Sequence, residues 1–231
     1  MSTSHILLWL EAPLQSWGAD SKFGRRDTLA FPTKSGVAGL LLCALGASGE
    51  QRELLFRLAP LRQTVVSYAR TDREPLLRDF HMVGSGYDES DPWESLLIPR
   101  TSDGGKAVGG GTKLTYRYYL QDARFAVVLE LPDDLAKPIA DALQNPVYDL
   151  YLGRKNCVPT DFVYRGTFAH EEAALKRAHE IAQDKGLAED FRVVDGGDTD
   201  KGDVLTLNDV PVQFGDIKRY TDRRVTVIRN G

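Results

Sequence analysis

The chain has 231 residues, 42% of them hydrophobic and 27% charged, and a formal net charge of −4. That is enough for a main domain with a real core plus a smaller appendage, and the acidic balance excludes indiscriminate polyanion binding while permitting a local basic groove. No apolar run reaches the length of a membrane span and no basic n-region precedes an apolar leader, so a cytoplasmic location without membrane contact is expected. Cys43 and Cys157 stand far apart and the histidines are scattered, giving neither a disulfide framework nor metal-ligand spacing; no metal and no cofactor is expected.

Residues 6–10, Ile-Leu-Leu-Trp-Leu, are apolar at every position, as in a strand buried on both faces. Pro13 and Gly18 break it and leave Gln15 and Trp17 at its mouth, before a polar, basic loop over residues 19–30. Phe31-Pro-Thr-Lys-Ser-Gly36 then opens a helix. Pro32 biases Phe31 towards extended backbone, and Thr33 or Ser35 is suited to cap the free amides. Gly36 and Gly39 thin one side, Val37, Leu40, Leu41 and Ala44 form the apolar stripe, and Gly46 is a natural stop. Lys34 beside the open amides makes the launch point a candidate phosphate site, against the plainer reading of a core helix crossing a sheet.

A second helix over 51–58, a valine-rich strand over 61–68 and a stem over 78–83 lead into residues 84–112, which show little periodicity and end glycine-rich. An excursion of that length is functional or disordered. Strands follow at 116–120 and 124–131, then a helix opened by Pro132, then an extended piece over 149–157 ending in Gly153, Arg154 and Lys155. This βαββαβ order predicts an α+β, ferredoxin-like (RRM-like) domain over residues 1–157, with a thumb insertion at about 84–112. The texture changes after Val158. A polar helix at 169–185, short strands at 192–194, 204–207, 210–214 and 225–228, and an acidic loop over 195–203 predict a small mixed α/β domain over 158–231.

Several motifs fall away on spacing. Asp198, Asp200 and Asp203 lack the order and closing glutamate of a calcium loop. Gly109-Gly-Gly-Thr-Lys113 has the composition of a P-loop without its spacing. Cys157 has no histidine near it in sequence, and no GxSxG occurs. A metal-independent ribonuclease needs only a base and a cation to stabilise the phosphorane, and His81, Tyr116, Tyr118, Tyr119 and Lys113 are the residues that would supply them.

The basic residues are unevenly spread: Lys22, Arg25, Arg26 and Lys34 early, Arg154 with Lys155, and Lys218, Arg219, Arg223, Arg224 and Arg229 at the C-terminus. In the predicted fold Gln15, Trp17, Arg26, Lys34, Arg154 and Lys155 all occupy loops or element ends. Each has a use for RNA: an aromatic for stacking, an amide for a base edge, cations and free amides for phosphates. Taken singly, Trp17 reads as core and Arg154 or Lys155 as solvated surface.

Six stretches together resemble one family: Ala12-Pro-Leu-Gln-Ser-Trp-Gly18, Gly24-Arg-Arg-Asp-Thr28, Phe31-Pro-Thr-Lys-Ser-Gly36, Arg78-Asp-Phe-His81, Tyr116-Arg-Tyr-Tyr-Leu-Gln-Asp122 with Phe125, and Tyr151-Leu-Gly-Arg-Lys-Asn-Cys157. In order and spacing they are similar to the CasD family of type I-E CRISPR Cascade subunits, within the RAMP superfamily; the C-terminal third is similar only in length and texture. The resemblance implies a non-catalytic subunit that binds the 5′ handle of crRNA and caps the backbone filament. It implies the Cascade backbone subunit and large subunit as partners, with target DNA met only through the assembled complex. Gln15, Trp17, Arg26, Lys34, Ser35, Gly36, His81, Arg117, Arg154 and Lys155 match motif positions and are the implied RNA-binding residues. Lys34 and Lys155 stand where arginine is expected in close relatives, which keeps charge but gives up bidentate phosphate geometry. The alternative the family leaves open is an endoribonuclease that processes pre-crRNA, as in subtype I-C relatives.

Overall fold

The computed structural model describes residues 2–18, 24–69, 76–83, 90–93, 100–105 and 113–229. The uniformly apolar opening segment forms strand β1 (Thr3–Glu11), near one end of a seven-stranded sheet ordered β10-β11-β9-β4-β7-β1-β8. Every neighbouring pair in it is antiparallel. Its members besides β1 are β4 (Gln63–Ala69), β7 (Arg124–Pro132), β8 (Tyr164–Phe168), β9 (Ala188–Asp195), β10 (Asp203–Gln213) and β11 (Arg219–Arg229).

Strand β1 is apolar throughout because both faces of the sheet are covered. Ile6, Leu8 and Leu10 join Val127 and Leu129 beneath helices α1 (Lys34–Leu45) and α3 (Asp133–Gln144). Leu7 and Trp9 join Val66, Ala126 and Val128 beneath α4 (Glu171–Asp184), whose Ala174, Ala178 and Ile181 form the packing stripe. Each such large side chain fully removed from water contributes about 1.5–3 kcal/mol. The short helix α2 (Arg52–Leu58) places Leu55 against Ala38 and Leu42 of α1.

Helix α1 starts and stops as its sequence dictates. The Thr33 hydroxyl accepts from the Gly36 amide at 3.1 Å, and Gly46 takes the left-handed conformation at φ 70°. Replacing Thr33 with alanine removes that cap and should cost about 1 kcal/mol, read as a lower midpoint with unchanged slope in urea denaturation.

Three expectations shift. Residues 149–157 do not form a strand; the Leu152 amide donates to the Cys157 carbonyl at 2.8 Å and closes a tight loop, so β8 takes the place beside β1. The strands expected at 204–207 and 210–214 are one strand, β10, whose register shifts after Asn208 and after Pro211. The sheet also runs across the boundary expected near residue 157, because β9 pairs directly with β4 and α4 packs on β1 and β7. The C-terminal segment therefore shares its core with the rest of the chain. Most of the thumb expected over residues 84–112 lies outside the described residues.

A second, smaller sheet leans on the first. Strand β6 (Lys113–Gln121) is its axis, flanked on one side by β2 (Leu14–Gln15) and β3 (Arg25–Arg26) and on the other by β5 (Leu77–Val83). Tyr119 of β6 and the neighbouring Trp17 both belong to the main core, which fixes the small sheet to the large one.

Candidate nucleic-acid interface

Alternate residues of a strand point to opposite faces, so β6 divides cleanly. Thr115 and Tyr119 are buried and turn towards the body of the protein, whereas Leu114 and Tyr116 are exposed. The cross-strand register puts Asp79 opposite Arg117 and His81 opposite Thr115, and the parallel β3 puts Arg26 beside Arg117. Arg26, His81 and Arg117 therefore share the inward-turned face. His81 Nδ1 lies 3.8 Å from an Asp79 carboxylate oxygen, and Arg117 Nε donates to the Thr115 hydroxyl at 3.3 Å.

Arg154 closes this face from the 149–157 loop. Its guanidinium donates to the Tyr118 carbonyl at 3.1 Å and to the Arg26 carbonyl at 2.9 Å, with Cζ 4.6 Å from the centroid of the Tyr119 ring. It thus ties β3 to β6 through two strand carbonyls. Among the described residues, no carboxylate lies within ion-pair distance of Arg26, Arg117 or Arg154. Arg26 and Arg117, directly across neighbouring strands, repel one another, and with Asp79 facing Arg117 from β5 the positive charge is concentrated on the β3 side of this face. Lys155 is exposed one residue beyond Arg154.

A model of the CRISPR-associated protein family Cas_Cas5 matches residues 5–227. The chain belongs to the Cas5 family. It is 34% identical to the CRISPR system Cascade subunit CasD of Escherichia coli (strain K12), with 71% of each chain covered. Among solved structures, a chain of a CRISPR RNA-guided surveillance complex superposes with a TM-score of 0.70 at 28% identity, covering 98% of this chain and 90% of that one. A structure described as a Cas protein superposes with a TM-score of 0.60 at 27% identity, covering 98% of both chains.

In this Cas5-family protein the motif residues sort into two groups. Arg26, His81, Arg117, Arg154 and Lys155 surround one face or its rim, as just described. Gln15, Trp17, Lys34, Ser35 and Gly36 do not join that face, and their groups are engaged within the protein. Gln15 is fully buried, donating to the carbonyls of Leu10 and Ala123 at 3.1 and 2.7 Å. Its side-chain oxygen accepts from the Trp17 indole at 3.1 Å. The Trp17 ring is enclosed against the start of α1, where a Cβ on Gly36 would sit 2.8 Å from it. Gly36 permits that contact, and the stacking role expected of Trp17 gives way to packing. Ser35 lies 3.4 Å from the capping hydroxyl of Thr33.

Lys34 gives the sharpest correction. The amide that was to receive a phosphate donates to the Asp209 carboxylate at 2.7 Å, and the Lys34 ammonium donates to the Leu61 carbonyl at 2.6 Å. Asp195 lies 3.6 Å from the same ammonium. Burial pushes the Lys34 pKa down despite the attraction of Asp195 and Asp209. The helix start is favourable to an anion, as its dipole dictates, and the anion is a carboxylate from β10. Among the described residues no cluster of three or more His, Cys, Asp or Glu side chains is placed to hold a metal ion.

Sequence reading missed the opposite, outward face of the small sheet, which carries Arg25, Arg78, Phe80, Tyr116 and Tyr118. The signal was present in the alternation Arg78-Asp-Phe-His-Met82, where every second residue is large, and these are the residues that stand exposed.

Proposed function

We propose that this Cas5-family protein is a non-catalytic RNA-binding subunit of a type I-E CRISPR surveillance complex, Cascade, that holds the 5′ handle of crRNA and caps the backbone filament. The observation that carries the reading is the Arg26–Arg117 pair beside Arg154, a run of cations without carboxylate partners among the described residues. Such an edge is suited to successive phosphates. Support also comes from the E. coli relative, named as a Cascade subunit, and from the likeness to a chain of an RNA-guided surveillance complex. The strand order β4-β7-β1-β8, with α1 and α3 on one face, supports a ferredoxin-like core as the scaffold. The backbone subunit, met through the thumb, and the large subunit are the protein partners, and target DNA is reached through the assembled complex.

Arg26→Ala combined with Arg117→Ala is expected to leave the fold intact and weaken binding of handle RNA. Each lost phosphate contact should flatten the log–log salt dependence by about 0.7. Equal affinity and equal slope in the parent and the double variant would sink the proposal. Lys34→Ala and Arg154→Ala are unsuitable for this test because both side chains hold the structure together.

The second reading, a metal-independent endoribonuclease, is favoured by one observation: His81 and Arg117 share a face with Asp79. Against it, Tyr116 and Tyr118 lie on the other face and Tyr119 is buried. Incubation with repeat RNA in EDTA separates the two: site-specific cleavage lost in His81→Ala establishes the enzyme, and uncut RNA leaves the binder.

A further inference from the structure

We propose that the outward face of the small sheet is a stacking platform for unpaired bases of the same RNA, a site separate from the cationic edge. The inference rests on the RNA-binding reading above and assigns a second set of contacts to it.

Four large apolar residues on two adjacent strands lie half in water. Phe80 is 51% exposed and Met82 52%, and their direct cross-strand partners Tyr116 and Leu114 are 46% and 47% exposed. A lone exposed apolar side chain is unremarkable, but a register-matched group of this kind marks a binding surface. Its chemistry indicates the occupant. The Phe80 and Tyr116 rings are 5.4 Å apart and tilted by 49°, so they do not close on one another as a parallel stack. The Arg78 guanidinium carbon lies 5.7 Å from the centroid of the Tyr116 ring, and that of Arg25 lies 4.9 Å from the centroid of the Tyr118 ring.

Cations interleaved with half-exposed rings complement an anionic chain that carries flat aromatic groups, which describes single-stranded RNA. Asp27 ion-pairs Arg25 at 2.8 Å, which leaves Arg78 as the stronger phosphate contact on this face. A protein partner that docked by apolar burial alone would have no use for guanidinium groups held over the rings. The strands that carry the platform are fixed before any ligand arrives: β6 is paired on both sides, by β3 and β5, and is anchored through Tyr119. Little ordering cost therefore falls on the protein side. The two faces of β6 would then divide the labour, cations along the inner edge holding the backbone and rings on the outer face receiving bases.

The test uses the full chain and two probes: RNA carrying the repeat-derived 5′ handle, and the same RNA with abasic handle positions. The parent should bind the intact RNA more tightly than the abasic one. Phe80→Ala with Tyr116→Ala should lower affinity for intact RNA on the order of tenfold or more, abolish the difference between the probes and leave the salt slope unchanged. Tyr116→Phe should behave as the parent. All of these residues are at the surface, and an unchanged urea midpoint will show that the variants fold.

Several outcomes overturn the platform. One is parent-like binding by the double variant; another is equal binding of both probes by the parent. Intact RNA binding with loss of co-purifying Cascade subunits would make the face a protein contact. If either of the first two occurs while the Arg26 and Arg117 variant still loses affinity, handle binding stands and stacking fails. If the parent binds neither probe, both readings fall.

Discussion

Asp209→Ala is expected to destabilise the fold by about 3–5 kcal/mol, the effect of leaving a buried charge without its partner. Asp209 is almost completely buried and accepts three hydrogen bonds: from the Lys34 amide at 2.7 Å and from Arg223 Nε and Nη2 at 2.7 and 2.9 Å. Arg223 also contacts Asp195, which in turn accepts from the Gln63 amide at 3.1 Å. One ionic cluster thus joins the start of α1, the start of β4, the end of β9 and both strands of the C-terminal hairpin. Removing Asp209 leaves Arg223 with one carboxylate and the helix start with an unmet amide. Asp209→Asn keeps an acceptor but loses the charge, and should fall between the parent and the alanine variant.

The pH dependence separates this mechanism from simple loss of packing. Burial already holds the Lys34 pKa below its ordinary 10.5, and losing Asp209 lowers it further. A lysine whose folded pKa is depressed destabilises the native state while it is protonated, and that penalty fades as pH rises from the folded value towards the unfolded one. The deficit of Asp209→Ala should therefore shrink in alkaline urea titrations approaching pH 10.5. A residue persists because Arg223 stays charged. A deficit independent of pH would point to packing instead.

What could be read from the sequence follows the range of the interaction. Helix α1 was legible from Pro32 to Gly46 because its cap, stripe and stop are local. The continuous apolar run of β1 likewise announced two covered faces. The fate of the helix start was not legible, since the group that fills it is a single aspartate 175 positions away, in a strand broken by irregular register. Gln15 and Trp17 sit in a loop by sequence, and nothing local reveals that the 149–157 loop and α1 close over them. The grouping of Arg26, His81 and Arg117 depended on the pairing of β5 with β6 across a long excursion. Their types and motif positions were readable, but their common face was a matter of register. The outward face failed for the complementary reason: its alternation was visible, but a strand whose large residues stand exposed reads like any half-buried one.

Gly153→Ala should be the most damaging small change near the cationic face. Gly153 has φ +99°, which side chains rarely adopt, and a Cβ there would lie 1.7 Å from the carbonyl oxygen of Ser16. No rotamer relieves that overlap, because the Cβ position is fixed by the backbone and the Ser16 oxygen is itself a backbone atom. The strained backbone costs about 1–3 kcal/mol, and displacing Ser16 breaks its amide's 3.1 Å bond to the Leu152 carbonyl, worth about 1 kcal/mol more. The expected loss is about 3 kcal/mol, read in urea denaturation. The functional consequence runs through Arg154, the next residue. Shifting the loop draws its guanidinium away from the Tyr118 and Arg26 carbonyls, and with it the tie that sets β3 against β6. On the proposed RNA-binding reading, affinity for handle RNA should therefore fall although no charge has been removed. Lys155→Ala is the matched control, removing an exposed cation two positions on. It should change stability by no more than about 0.5 kcal/mol and flatten the salt slope if Lys155 meets a phosphate. Wild-type stability in Gly153→Ala would mean that the loop does not need its close approach to Ser16, and Arg154 would then not be the tie that positions the face.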